Sequence, residues 1–127
     1  MAPSSTTFHE SEDRLSPTTH EMHRALVSLM EELEAVDWYQ QRVEGTADQD
    51  LRRILEHNRD EEKEHAAMLL EWIRRHDRGF DERLRMYLYR EGPITELEAA
   101  APESASRAEG RPSASAMGLI GSLRGSS

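Results

Sequence analysis

The chain has 127 residues, which suits one small domain and a tail. It is 36% hydrophobic and 32% charged, too polar for one large independent core, and its net charge of −9 argues against a nucleic-acid or anionic-membrane partner. No cysteine is present, so disulfides and thiolate metal sites are excluded, and carboxylates and imidazoles remain as metal ligands.

Residues 1–17 are rich in Ser, Thr, Pro and charge and read as a disordered N-terminal arm. The opening Met1-Ala2-Pro3-Ser4-Ser5-Thr6-Thr7 lacks a basic stretch followed by an apolar core, so no secretory signal is expected and a cytoplasmic start is the default. No apolar run reaches membrane-spanning length.

Residues 18–93 read as an all-α domain. The first helix is expected from just after Pro17-Thr18-Thr19 to about Val43, with Met22, Ala25, Leu26, Leu29, Met30, Leu33 and Val36 at helical spacing. Gly45 is its natural stop. Thr46-Ala47-Asp48-Gln49 then fits a capping box, with Thr46 as the cap and Gln49 reaching back. The second helix is expected from about Ala47 to Arg75, with Leu51, Ile54, Leu55, Leu69, Trp72 and Ile73 as its apolar positions. So short a connection makes the two helices an antiparallel hairpin. Gly79 interrupts the pattern. Phe80, Leu84, Tyr87 and Leu88 predict a third, shorter helix ending before Gly92-Pro93, its aromatic stripe serving packing. A folded part of roughly 75 residues has a marginal core alone and calls for a partner.

Residues 94–116 change to Ala, Glu, Ser, Arg and Pro and read as a flexible linker. Residues 117–127 then return to apolar side chains in Gly118-Leu119-Ile120-Gly121-Ser122-Leu123-Arg124. A short apolar motif on a tether is the form of a docking peptide, the alternative being a frayed terminus that is apolar by chance.

Glu62-Lys63-Glu64-His65 carries a Glu-x-x-His pattern. Glu62 and His65 lie on the stripe shared by Leu55, Asn58, Leu69 and Trp72, which should face a core. On the first helix Glu32 shares its stripe with Ala25, Leu29, Val36 and Tyr39. Buried carboxylates are costly unless paired, protonated or metal-bound. Carboxylate-bridged di-iron bundles use a Glu-x-x-His from each of two helices and a Glu from each of two others. One chain supplies one of each, so two copies would complete a site. Four carboxylates from Glu32 and Glu62 would balance two divalent ions, leaving two neutral His65 imidazoles. The competing explanation is a solvated helix, with Glu62 paired to Lys63 or Arg59. His57 and His76 read as surface residues, and His9, His20 and His23 are unassigned. Glu31, Glu34 and Trp38 share another face of the first helix, either a metal entry site or a solvated acidic edge.

The blocks Glu31-Glu32-Leu33-Glu34-Ala35-Val36-Asp37-Trp38-Tyr39, His57-Asn58-Arg59-Asp60-Glu61-Glu62-Lys63-Glu64-His65-Ala66 and Glu91-Gly92-Pro93-Ile94 closely resemble the encapsulated ferritins over roughly residues 20 to 95. The segment Gly118 to Gly125 looks like the peptide that loads cargo into encapsulin shells, with Gly118, Leu119, Ile120, Gly121 and Leu123 as its loading residues. The resemblance implies a protomer that dimerises into a ferritin-like four-helix bundle, with a di-iron ferroxidase centre between chains. Its ligands would be Glu32, Glu62 and His65, with Tyr39 and Trp38 nearby and Glu31 and Glu34 as entry-site acids. It further implies a homo-oligomeric ring of five dimers that oxidises Fe(II) inside an encapsulin nanocompartment, the shell holding the mineral. Two other functions share these ligands: a non-catalytic, metal-dependent scaffold, and a dimanganese or peroxide-consuming di-iron enzyme.

Overall fold

The structure is a computed structural model that describes residues 5–98; the expected docking peptide and most of the expected linker lie outside the described residues. The described chain is all-helical. It divides into two compact units, Met1–Asp77 and Arg78–Ser127.

The first unit is built on a hairpin of α1 (Pro17–Gly45) and α2 (Gln49–His76), which pack on each other. Helix α1 starts where local chemistry favours it. The Ser16 side chain accepts from the Thr19 N–H at 3.1 Å, and Pro17 occupies the first turn, where its missing N–H costs nothing. At the far end Thr46 turns extended, and its N–H closes the helix on Arg42 O at 3.1 Å.

The start of α2 corrects the expected capping box. Asp48, not Thr46, is the cap, its Oδ1 accepting from the Leu51 N–H at 2.8 Å. Thr46 Oγ1 instead accepts from the Asp48 N–H at 3.2 Å. A carboxylate meets free N–H groups and the positive helix end better than a hydroxyl does, so the later residue takes the cap. Gly45 is the last residue of α1, and Thr46–Asp48 make the whole connection.

Few side chains in this hairpin are fully covered. Ala25, Val43 and Ile73 are buried, while Leu33 is 55% exposed and Ile54 and Met68 are each 57% exposed. Each such side chain would contribute roughly 1.5–3 kcal/mol if covered completely. Ahead of α1, where an arm was expected, Glu12–Arg14 form a 3-10 turn. Phe8 stacks on His23 with ring centroids 4.2 Å apart, and the His20 Nε2 meets Glu12 O at 3.0 Å.

The second unit contains α3 (Arg78–Tyr87) and a 3-10 turn at Ile94–Glu96. The break before α3 lies at Asp77, which is extended, and Gly79 is inside the helix. The helix stops earlier than Gly92 would require, with Tyr89 in the left-handed region at φ 58° and fully exposed. Leu97 is buried. Among the described residues no helix is long and apolar enough to cross a membrane.

Candidate metal centre

The hairpin brings Glu32 of α1 against Glu62 and His65 of α2. One ligand atom from each lies within 4.8 Å of the others. Glu62 and His65 are three apart, so one helical turn puts them on the same face. The antiparallel hairpin supplies Glu32 from across the interface.

His65 Nδ1 lies 2.8 Å from Glu62 Oε1 and 3.4 Å from Glu32 Oε2. One ring proton serves one acceptor well, and the shorter contact takes it. Glu32 Oε2 is left buried without a hydrogen-bond partner. Glu62 does not take Lys63 or Arg59 as its partner: Lys63 approaches Asp60 at 3.8 Å, and Arg59 bonds Asp60 and Gln40.

The electrostatics follow from this crowding. Burial pushes the Glu32 carboxyl above its ordinary value, Glu62 pushes it the same way, and His65 partly opposes them. The His65 imidazole is held above its usual value by its hydrogen bond to Glu62, with the Glu32 charge adding to this and desolvation working against it. Both groups therefore keep protons to higher pH than free side chains would. A divalent cation can take the place of those protons. The donor set of two carboxylates and one imidazole suits iron, manganese or zinc and does not complete a coordination shell.

The remaining sequence-predicted residues are not among the three whose ligand atoms converge. Glu31 and Glu34 are exposed, and Trp38 is 47% exposed. Tyr39 is half-buried, with the Arg42 guanidinium 5.4 Å from its ring centroid. Gly118, Leu119, Ile120, Gly121 and Leu123 lie outside the described residues. His57 is exposed, and His76 stacks on Trp72 at 3.9 Å. The interhelical bond from Arg59 to Gln40 left no signal in the sequence, because neither residue type has a distinctive spacing.

The EncFtn-like family profile matches residues 7–91. The chain is 61% identical over 100 residues to an encapsulated ferritin-like protein of Rhodospirillum rubrum, covering 79% of this chain and 71% of that one. It is 58% identical over 91 residues to a ferritin-like protein of Thermotoga maritima, covering 72% and 80%. An encapsulin nanocompartment cargo protein of Myxococcus xanthus is 33% identical over 75 residues, covering 59% and 58%. The crystal structure of a Nitrosomonas europaea protein superposes with a TM-score of 0.67 at 60% identity, covering 68% of this chain and 96% of that one. With a ferritin-like helical hairpin and a family match across all of α1 and α2, this chain belongs to the EncFtn-like family.

Proposed function

We propose that the protein is a ferroxidase, with Fe(II) and O2 as substrates, working on a di-iron centre shared by two copies of the chain. The observation that carries this reading is the buried Glu32 Oε2, which has no hydrogen bond and only a 3.4 Å contact with His65 Nδ1, in a cluster with Glu62. A buried, unsatisfied carboxylate oxygen costs stability unless a cation meets it. One chain offers three ligands, half of what a carboxylate-bridged pair of irons takes. A second hairpin laid against the first would supply the other half and cover Leu33, Ile54 and Met68, forming a four-helix bundle.

In that arrangement Glu32 and Glu62 would hold the two Fe(II), and His65 would ligate through a ring nitrogen freed of its proton. Two Fe(II) would give up one electron each, and with two protons from water one O2 would become hydrogen peroxide. The carboxylates stabilise the higher charge of the Fe(III) product. Tyr39, on the same stripe as Glu32, is a partner behind the ligands. Glu31 and Glu34 give Fe(II) a path inward, and a ring of five dimers is the assembly we expect.

The names of the Rhodospirillum and Myxococcus relatives support a cargo role in an encapsulin compartment. Residues 117–124 would then dock on the shell, with Leu119, Ile120 and Leu123 as anchors and Gly118 and Gly121 permitting a tight bound form. The test of function is anaerobic loading with Fe(II), then exposure to air while ferric absorbance and O2 consumption are followed. Binding without turnover would make the protein a metal-dependent scaffold. Co-expression with a shell protein tests the cargo role: a chain truncated at 116 should oxidise Fe(II) normally and fail to co-purify with the shell.

A further inference from the structure

The triad asks more of the hairpin than its apolar core supplies. Glu32 comes from α1, and Glu62 and His65 from α2, so their separation depends on how far one helix has slid along the other. A slip of one residue moves a ligand by about 1.5 Å. Ligand sets tolerate only about 0.5 Å before binding degrades. Apolar contact is non-directional, and among the described residues of this hairpin only Ala25, Val43 and Ile73 are buried, of which Ile73 alone is fully covered.

Arg59 supplies a directional restraint. Its Nη1 donates to Gln40 Oε1 at 2.8 Å, across the helix interface. The Gln40 amide is itself oriented, its Nε2 donating to Glu44 Oε2 at 2.7 Å. The guanidinium is oriented too, Nε donating to Asp60 Oδ1 at 3.0 Å. Arg59 is only 20% exposed, so water competes little for this contact. The chain Glu44–Gln40–Arg59–Asp60 ties α1 to α2 at one defined offset. Arg59 is one turn from Glu62, and Gln40 is about two turns from Glu32.

We infer that Arg59 and Gln40 are positioning residues for the metal centre, their interhelical hydrogen bond fixing the register that sets Glu32 against Glu62 and His65. Neither touches the site, and both act through the helix backbones. The inference rests on reading the triad as a metal site.

The test uses Co(II), whose d–d absorption reports coordination geometry without turnover. The full-length chain, Arg59→Ala, Gln40→Ala, the double variant and Arg59→Lys are titrated, with helicity followed by circular dichroism. Each Ala variant should bind Co(II) on the order of 10-fold more weakly and show an altered d–d band at saturation. The double variant should be no worse than either single one, since both remove the same contact. Arg59→Lys, which still offers a donor to Gln40, should fall nearer the wild type. If Arg59→Ala does not fold, Gln40→Ala decides, because it deletes only a neutral amide. A lower melting temperature with affinity and spectrum unmoved would overturn the inference, leaving the pair a stabilising contact alone. Additive losses in the double variant would overturn it as well. A wild-type chain that takes up no Co(II) would sink the metal reading itself, and this inference with it.

Discussion

Glu31, Glu32 and Glu34 carry the same charge within one turn of α1, yet their surroundings differ. Glu31 and Glu34 are exposed, and no shared ligand position forms around them among the described residues. Glu32 has a buried oxygen and two neighbours from another helix, Glu62 and His65, that could ligate a metal with it. One residue of helix is a rotation of about 100°, enough to carry a carboxylate from the interface to water. Charge density therefore does not mark the site; phase against the opposing helix does. A carboxylate in water is already satisfied, while one denied water and hydrogen bonds has a strong need for a cation.

The largest expected effect separates these two faces. Glu32→Ala, Glu62→Ala and His65→Ala should each lower Fe(II) oxidation beyond about 100-fold, since even groups behind metal ligands cost 10–100-fold. Helicity by circular dichroism should persist, because none of the three belongs to the buried apolar set. Ferric absorbance after air exposure is the readout. Wild-type rates in all three variants would place the chemistry elsewhere.

Next in size is the coupling of metal to assembly. In the proposed dimer, a metal-free pair of hairpins would bring four carboxylates together in a poorly solvated interface, where like charges would repel. Metal would replace that repulsion with shared ligation, and its binding free energy would become association free energy. Small species should dominate after chelation, and larger assemblies should form on adding Fe(II), Mn(II) or Zn(II), as followed by native mass spectrometry. An identical size distribution in both states would mean that Leu33, Ile54 and Met68 already hold the copies together and that the metal is a passenger.

Proton dependence sharpens the same contrast. Glu32 is raised by burial and His65 by its bond to Glu62. A folded-state value above the unfolded one gives stability that is present below the unfolded value and lost as pH rises through the folded one. Both groups have that sign, so the metal-free chain should lose stability from mildly acidic to neutral pH and just above. With a divalent ion present the slope should reverse, because each proton lost opens a ligand. Glu71 has the opposite sign. Hydrogen bonds from Arg74 and then Arg75 lower it to about 2, and its contribution is present above the usual carboxylate range and lost as pH falls toward 2. Melting temperature against pH, with and without Zn(II), checks all three. Parallel slopes in the two series would remove Glu32 and His65 from the metal site.

Much of this hairpin was legible in the sequence because periodicity and ligand spacing are local. Three- and four-residue steps put Glu62 with His65 and Glu32 with Ala25 and Leu29, and the short connection forced the two stripes to face. What escaped was decided by competition between neighbours. Thr46 and Asp48 both have capping chemistry, and only the folded backbone shows the carboxylate prevailing. Gly79 looked like a helix breaker, but the cost of glycine in a helix is about 1 kcal/mol, and the chain breaks at Asp77 instead. Arg59 had several carboxylates within sequence reach and bonds Gln40 on the other helix, which no spacing rule foretells.

The smallest effect concerns the outward face. If Glu31 and Glu34 guide Fe(II) toward Glu32, removing either charge should change how fast iron arrives and leave the final amount oxidised as it was. Exposed carboxylates act on a cation through water, where a unit charge pair at about 4 Å is worth only about 1 kcal/mol, so a few-fold change in rate is the scale. Its sign depends on two opposing consequences of the same attraction. A carboxylate raises the local Fe(II) concentration, and it also holds the ion back from moving on. Salt separates them: screening over about 8 Å at physiological ionic strength weakens the long-range capture more than the short-range hold. Stopped-flow traces of Glu31→Ala and Glu34→Ala at two ionic strengths therefore give both answers. Traces identical to wild type at low salt would make this face a solvated edge, with Glu32 the only one of the three carboxylates that concerns iron.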